Sequence, residues 1–291
     1  MRKIRQPAAA AATVLLLIAG STLAQDFDSV EMKVHPVAGN VSYIEGMGGN
    51  IGLFTGDDGV FLIDDQYAPL TDKIVAAIRT VSDGELRFLV NTHMHPDHTG
   101  GNENFGKMGT TIFGHDNVRS QMAAAGYDET PPLITFNDNI SFHINGETVN
   151  AFKVPNAHTN GDVFIKFEGS NVVHTGDVYR TTTYAYIDTS NGGSFLGTIA
   201  AHNVLIEVSD ENTKIVPGHG VISSVADVTA VRDMLVVIRD RVAAAIRDGK
   251  SLAEIQSAGL TAEYDERWNG EGRIGSATSL LAAAYADMAG N

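Results

Sequence analysis

The sequence predicts a mixed α/β fold in which strands form the core and helices cover the outer faces. Strand-like runs and amphipathic helices follow one another in two similar halves of the chain, and this order is typical of layered sheets and helices. The chain has 291 residues, of which 43% are hydrophobic and 19% charged, an ordinary globular composition with room for a large core. We expect one domain over residues 25–291.

The N-terminus predicts an exported protein. Three basic residues precede a short apolar run from Ala8 to Ala19, and small residues around Ala24 offer a cleavage point. This pattern is typical of a signal peptide over residues 1–24, and the apolar run is too short to span a bilayer. An uncleaved signal anchor is the less favoured alternative. We therefore expect a periplasmic or secreted protein with no stable membrane insertion after cleavage.

Charge and cysteine content exclude several classes of function. The chain has 20 Lys+Arg against 35 Asp+Glu and a formal net charge of -15, which would repel a phosphate backbone, so we expect no nucleic-acid partner. The sequence contains no cysteine, which excludes disulfides, thiolate metal ligands and cysteine nucleophiles. The expected partner is a small-molecule substrate, and the oligomeric state is left open.

In the first half, short apolar runs separated by glycines predict strands. These runs cover residues 34–37, 41–44, 51–54, 60–63 and 88–90. The run at 60–63 is continuously apolar, as is typical of a strand buried on both faces. Apolar residues from Ile74 to Val81 recur at three- and four-residue steps and predict a helix, and another helix is expected near 117–125.

In the second half, the stretch from Ile134 to His174 predicts antiparallel strands joined by Gly and Asn turns, and a last strand over 214–216 ends at a proline. Apolar residues at helical spacing from Val228 to Val242 then predict a long helix. Ser224 and Asp227 have the spacing of a capping box at its start. An alanine-rich helix is expected in the C-terminal stretch from residue 275.

A dense group of possible metal ligands follows the strand at 88–90. The group consists of His93, His95, Asp97 and His98. The first two histidines flank an apolar residue, so both can point the same way from an extended segment. The other two follow a proline turn and would address a second ion. Imidazole and carboxylate suit zinc and related ions, and the chain offers no softer ligand.

Three further possible ligands each follow a strand-like run: His158, Asp177 and His219. Loops at strand ends are where a rigid sheet positions functional side chains, so we expect these residues to complete the metal site. The other five of the ten histidines occur singly, and no function is assigned to them.

The run His93-x-His95-x-Asp97-His98, followed in order by His158, Asp177 and His219, resembles the metallo-β-lactamase-fold hydrolase superfamily. The resemblance covers about Val34 to Val242 and implies an αββα sandwich with a dinuclear metal site at one edge of its sheets. It implies that His93, His95 and His158 bind one ion. It further implies that Asp97, His98 and His219 bind the other, with Asp177 between the two.

The resemblance also implies the chemistry. Two Zn²⁺ per chain would share an activated hydroxide that attacks an ester, lactone, thioester or amide (β-lactam-like) bond, and Asp97 would orient the hydroxide and carry a proton. Iron-containing diiron flavoproteins of the family carry glutamate where this chain has His95, which favours zinc over iron. Two alternatives stay open: a periplasmic metallo-β-lactamase with true or promiscuous activity, and a mononuclear iron sulfur dioxygenase. Aspartate at 177, where the commonest lactamase subclass has a metal-binding cysteine, argues against a dedicated lactamase.

Two loops are expected to shape substrate choice. The glycine-rich turn that ends at Asn50 corresponds to a flap in the family, although a plain hairpin turn explains it equally well. In the loop after Asp177, Tyr184 and Tyr186 would line an apolar wall or donate to a carbonyl, and Arg180 would pair with a substrate carboxylate. Packing or surface positions are the alternative for each of these residues.

Overall fold

The computed structural model describes residues 26–126, 130–270, 272 and 274–290, so the predicted signal peptide lies outside the described residues. The strands are β1 (Lys33–Ala38), β2 (Val41–Glu45), β3 (Ile51–Gly56), β4 (Gly59–Ile63), β5 (Leu86–Val90), β6 (Thr111–His115), β7 (Ile134–Phe136), β8 (Asn139–Ile144), β9 (Glu147–Lys153), β10 (Val163–Phe167), β11 (Val172–His174) and β12 (Lys214–Val216). The α-helices are α1 (Thr71–Arg79), α2 (Pro96–Thr99), α3 (Asn102–Lys107), α4 (Asp116–Ala124), α5 (Phe195–Glu207), α6 (Val225–Arg247), α7 (Leu252–Ser257), α8 (Ala262–Trp268) and α9 (Ala277–Ala289).

The strands form two sheets. Seven strands, β1 to β7, lie in sequence order in the first sheet, and the second sheet has the order β12-β11-β10-β9-β8. Strands β4 to β7 are parallel to one another, as are β11 and β12, whereas the other neighbours are antiparallel. The carboxyl ends of parallel strands meet at one edge of a sheet, which brings the loops after β5, β11 and β12 into position for a common site.

Four layers result from the packing of these sheets and helices. An aromatic core fills the space between the sheets, where the rings of Phe61 and Phe142 lie 4.9 Å apart. Helices α1 and α3 cover the outer face of the first sheet, and α5, α6 and α9 cover the second. The predicted α/β fold with an αββα sandwich is confirmed.

Strand β4 shows why its run of apolar residues was informative. Phe61 and Ile63 point into the core between the sheets, whereas Val60 and Leu62 point to the helices of the outer layer. All four side chains are buried, as expected for a strand covered on both faces.

The prediction missed α5 and strand β6 but located α6 closely. Ser224 accepts from the backbone of Asp227, and Asp227 accepts from the backbone of Ser224, so the predicted capping box is present at the start of α6. Helix α5 packs against both α6 and α9 and is apolar over most of its circumference, so it lacks the periodic pattern that identifies a surface helix. Across the described residues, every helix is too short or too polar to cross a membrane.

Candidate metal centre

The dense ligand group lies in the loop and short helix after β5. His95 is the extended residue before α2, and Pro96 is the first helical residue, where its missing N–H group is not needed. Asp97 and His98 follow in the helix. The chain between α2 and α3 packs tightly on the backbone after β4, since a Cβ at Gly101 would lie 2.9 Å from the Asp65 carbonyl oxygen.

The other three predicted ligands reach the same place from the second sheet. His158 follows β9, Asp177 follows β11 and His219 follows β12. Because β11 and β12 are parallel neighbours, their ends bring Asp177 Oδ1 to 3.3 Å from His219 Nε2. Gly218 is required for this approach, since a Cβ there would lie 2.1 Å from Asp177 Oδ1.

The seven residues form three overlapping groups, each with its donor atoms within 4.8 Å of one another. The groups are His93, His95 and His158; His93, His98 and Asp177; and Asp97, His98 and His219. His95 Nδ1 lies 2.7 Å from His158 Nε2 in the first group, and Asp97 Oδ2 lies 3.2 Å from His219 Nε2 in the third.

The donor atoms fit a bound cation. His93 Nε2 is buried and has no hydrogen-bond partner among the described residues, an arrangement that costs free energy unless an ion or water satisfies the atom. His95 Nδ1 and His158 Nε2 also face each other. At this distance at least one of the two nitrogens carries no proton and offers a lone pair. Imidazole nitrogens and carboxylate oxygens are a ligand set that zinc accepts. The centre is therefore able to bind metal ions.

The pKa values of the histidines shift in opposite directions in the two parts of the centre, the part with His93 and His158 and the part with His98. Burial, followed by the neighbouring histidine charges, lowers the pKa of His93, and burial lowers the pKa of His158 to about 3. Both imidazoles are thus neutral at pH 7 and offer lone pairs. At the other end, burial disfavours the charge on His98, but the Asp97, Asp177 and Asp64 carboxylates outweigh it and raise the His98 pKa.

The two carboxylates of the centre are held in the ionised form. Burial alone would raise the pKa of Asp97, but the His98 charge and the hydrogen bond from His219 lower it to about 2. Burial is likewise outweighed at Asp177, where His219 and His98 hold the pKa well below its ordinary value. Ionised carboxylates are the form that binds a cation.

Asp64, at the end of β4, supports the dense ligand group and was missed by the sequence analysis. Its Oδ2 accepts from His98 Nδ1 at 2.7 Å and from Thr92 Oγ1 at 2.8 Å, and its Oδ1 accepts from Thr92 N at 2.7 Å. Asp64 is fully buried and has a left-handed backbone with φ 62°. The available signal was a pair of acidic residues directly after a fully buried strand.

Two hydrogen-bond acceptors orient the imidazole rings of His95 and His158. Asp188 Oδ2 accepts from His95 Nε2 at 2.9 Å, and the Tyr186 carbonyl accepts from His158 Nδ1 at 2.7 Å. Each bond holds the far nitrogen of its ring and so directs the remaining nitrogen towards the centre. Asp188 lies in the loop after Asp177 that the sequence analysis associated with substrate, but nothing in its local pattern indicated this function.

A cavity of about 320 Å³ opens onto the centre. Arg180 and Tyr186, two of the predicted substrate contacts, line this cavity. The Arg180 side chain is only 9% exposed, its NH1 atom lies 4.0 Å from Asp177 Oδ2, and its Nε makes no hydrogen bond among the described residues.

The structure corrects the other two predicted substrate contacts. Tyr184 is fully buried in the core under α8, where its hydroxyl donates to Asp265 Oδ1 at 2.9 Å. Asn50 is also buried, and its amide donates to the carbonyls of Pro217 and Gly220, both at 2.9 Å. Asn50 therefore ties the start of β3 to the loop that carries His219 instead of lining the cavity.

The glycine-rich turn before Asn50 packs directly on the ligand loop. Gly49 N donates to the Asp97 carbonyl at 3.1 Å, and Gln66 Nε2 donates to the Gly49 carbonyl at 2.6 Å. A Cβ at Gly49 would lie 2.1 Å from the His98 ring, so only glycine fits there. Gly49 thus helps to hold the loop that carries Asp97 and His98.

Comparison with known proteins identifies the family. The model of the metallo-beta-lactamase superfamily matches residues 44–219, which is more than half of the chain. A metallo-beta-lactamase from Pontibacter korlensis has 17% identity and a TM-score of 0.64, with 70% of this chain and 99% of that chain covered. The DIM-1 metallo-beta-lactamase has 17% identity and a TM-score of 0.62, with 71% and 98% covered.

A longer enzyme has the same fold. The inverting sec-alkylsulfatase Pisa1 from Pseudomonas sp. has 16% identity and a TM-score of 0.72, with 87% of this chain but only 50% of that chain covered. Identities this low show a shared fold. Together with the family match, the two-sheet architecture and the His/Asp groups able to bind metal, they show that the chain belongs to the metallo-beta-lactamase superfamily.

Proposed function

We propose that this protein is an exported hydrolase that binds two Zn²⁺ per chain and cleaves an ester, lactone, thioester or amide bond of a small molecule. One observation carries the proposal: seven residues with nitrogen and oxygen donors, from loops of both sheets, converge in three overlapping groups, and four of them line one cavity. The absence of cysteine from the sequence leaves these donors as the available ligand chemistry. Two groups of three, joined by Asp177, support two ions better than one.

When bound, the ions would supply a water molecule of lowered pKa and would polarise the scissile carbonyl. Asp97 is the residue that we assign to proton transfer. Its side chain is 23% exposed at the cavity, and its low pKa keeps the carboxylate free to accept a hydrogen bond from water. The proton taken up by this carboxylate can then pass to the leaving group.

Arg180 supports a substrate with an anionic group. The Arg180 side chain lies at the cavity wall, where only 9% of it is exposed and its NH1 atom is 4.0 Å from Asp177 Oδ2. A planar guanidinium binds a carboxylate or a sulfate with paired hydrogen bonds. This placement supports the predicted contact of Arg180 with a substrate carboxylate.

Sulfate-ester hydrolysis is a second candidate function. The match to the alkylsulfatase covers 87% of this chain, more than the matches to the two lactamases do, and Arg180 would serve a sulfate as well as a carboxylate. β-Lactam hydrolysis and iron-dependent dioxygenase activity are the remaining alternatives.

Elemental analysis and a substrate screen test the proposal together. The purified mature protein would be assayed with aryl esters, acyl-homoserine lactones, a glutathione thioester, a chromogenic cephalosporin and alkyl sulfates. We expect two zinc ions per chain and turnover of a carbonyl substrate. One iron per chain would favour the dioxygenase, and turnover confined to the cephalosporin or to alkyl sulfates would replace the general hydrolase.

Export is tested separately. The N-terminal residue of the protein recovered from the periplasm or the medium is expected to be Gln25, the first residue after the predicted signal peptide. Retention of residues 1–24 in a membrane fraction would support an anchor instead.

A further inference from the structure

One wall of the cavity comes from a part of the chain beyond the family match. Ile274 lines the cavity together with His95, Asp97 and Arg180, although the family model ends at residue 219. It lies between α8 and α9, in the C-terminal helical layer. The C-terminal region therefore contributes a side chain to the site that the family motif does not specify.

The backbone around Ile274 is anchored at its base. Gly270 N donates to the Gly275 carbonyl at 2.9 Å, and Ala277 N donates to Asn269 Oδ1 at 2.9 Å. Gly275 has φ +64° and packs so closely that a Cβ there would lie 2.1 Å from Thr183 Oγ1. The chain is therefore held at Gly270 and at Gly275, on the two sides of Ile274.

The exposure of Ile274 is unusual for its chemistry. Its side chain is 56% exposed although it is large and aliphatic. Pro96 and the ring of Tyr186 lie on the same cavity, so the polar floor of the centre has an apolar rim. Apolar rims around a few polar groups are characteristic of small-molecule sites.

We propose that Ile274 is a specificity-determining residue that binds the aliphatic chain of the substrate. The substrate is then an aliphatic acyl compound whose scissile carbonyl lies at the floor near Asp97 and whose chain packs between Ile274, Tyr186 and Pro96. This inference rests on the proposed hydrolase function and adds the class of acyl group to it.

Binding of products tests the proposal without turnover. Straight-chain carboxylates from acetate to octanoate would be titrated into the metal-loaded protein by calorimetry. Burial of each methylene in an apolar site strengthens binding by about fourfold at most, so we expect affinity to rise by about twofold to fourfold per methylene until the cavity is filled.

The variants separate Ile274 from a general effect of surface apolarity. Ile274→Ala is expected to lower octanoate affinity about tenfold and to leave acetate affinity unchanged, whereas Ile274→Leu should restore most of the chain-length dependence. Val81→Ala is the matched control, because Val81 is also 51% exposed but does not line the cavity. Michaelis constants for p-nitrophenyl acetate and octanoate should change in the same pattern.

The outcomes distinguish a failure of the Ile274 assignment from a failure of the proposed hydrolase function. Equal chain-length dependence in wild type and Ile274→Ala, with esterase activity intact, would overturn the assignment of Ile274 while leaving the hydrolase in place. Lack of affinity for every carboxylate, together with no turnover of any carbonyl substrate by metal-loaded protein, would overturn both.

Discussion

The two halves of the molecule supply the same centre in different ways. The loop after β5, here called the first arm, delivers four donors within six residues. The buried Asp64 accepts hydrogen bonds from Thr92 and His98 in this arm, and Asp188 accepts one from His95. The second sheet delivers one donor from each of three strand-end loops, here called the second arm. The Tyr186 carbonyl accepts from His158, and Asn50 holds the loop of His219. A change at Asp64 should therefore disturb several donors of the first arm together, whereas a change at Asn50 should disturb His219 alone.

The largest effect is expected at Asp97, the partly exposed carboxylate of the first arm. Asp97→Asn keeps the size of the side chain but removes its ability to take up a proton, so turnover of the substrate found by screening should fall by about 10²–10⁴-fold. Circular dichroism should show an unchanged fold. Wild-type turnover in this variant, with metal content measured in parallel, would remove Asp97 from its assigned function.

Asp64→Ala tests whether loss of one buried acceptor disturbs several donors of the first arm. The change leaves Thr92 N and His98 Nδ1 without their buried acceptor, so we expect the free energy of unfolding to fall by about 3 kcal/mol. Zinc affinity should fall by about 10–100-fold. Urea unfolding and competition with a chelator measure the two effects. Asp83→Ala, at an exposed position, is the control, and equal results for both variants would refute the shared support.

Asn50→Ala tests the second arm. The buried carbonyl of Pro217 and the partly buried carbonyl of Gly220 lose their donor, and we expect a loss of about 1–2 kcal/mol in the free energy of unfolding. The loop of His219 should be affected alone, so a weak chelator should remove one of the two proposed zinc ions more readily than it does in Asn212→Ala, an exposed control. Equal loss of both ions would show that the arms are not independently supported.

The smallest effect is expected at a buried histidine outside both arms. His202 donates from Nδ1 to the Thr198 carbonyl at 2.7 Å, and burial lowers its pKa to about 4. The unfolded chain takes up a proton near pH 6.5, so the stability that neutral His202 contributes is present above that pH and is lost as the pH falls towards 4. We expect wild type to lose about 1 kcal/mol more than His202→Gln between pH 7 and pH 5.5. Parallel unfolding curves for the two proteins at both pH values would contradict this.

Prediction from sequence succeeded where the signal was local. The run at 60–63 identified a strand buried on both faces, and Ser224 with Asp227 identified the start of α6. It failed at α5, because a helix covered on most sides has no polar face to give a period.

The residues that hold the metal-binding side chains could not be predicted from local sequence either. Asp64 and Asp188 are distant in sequence from the donors they hold, and their hydrogen bonds exist only after the sheets and loops are assembled. Tyr184 and Tyr186 stand two residues apart in one loop, yet the first is in the core and the second lines the cavity.

The sequence by itself determined the family, the order of the layers and the residue types able to bind metal, because these follow from apolar patterns and from a dense run of donors. Tertiary structure alone decided which side chains hold those donors, where Asn50 and Tyr184 lie, and that Ile274 faces the cavity. The physical reason is that hydrogen bonds and cavity walls join residues far apart in the chain, and their geometry is set by the packing of the two sheets and the helical layers.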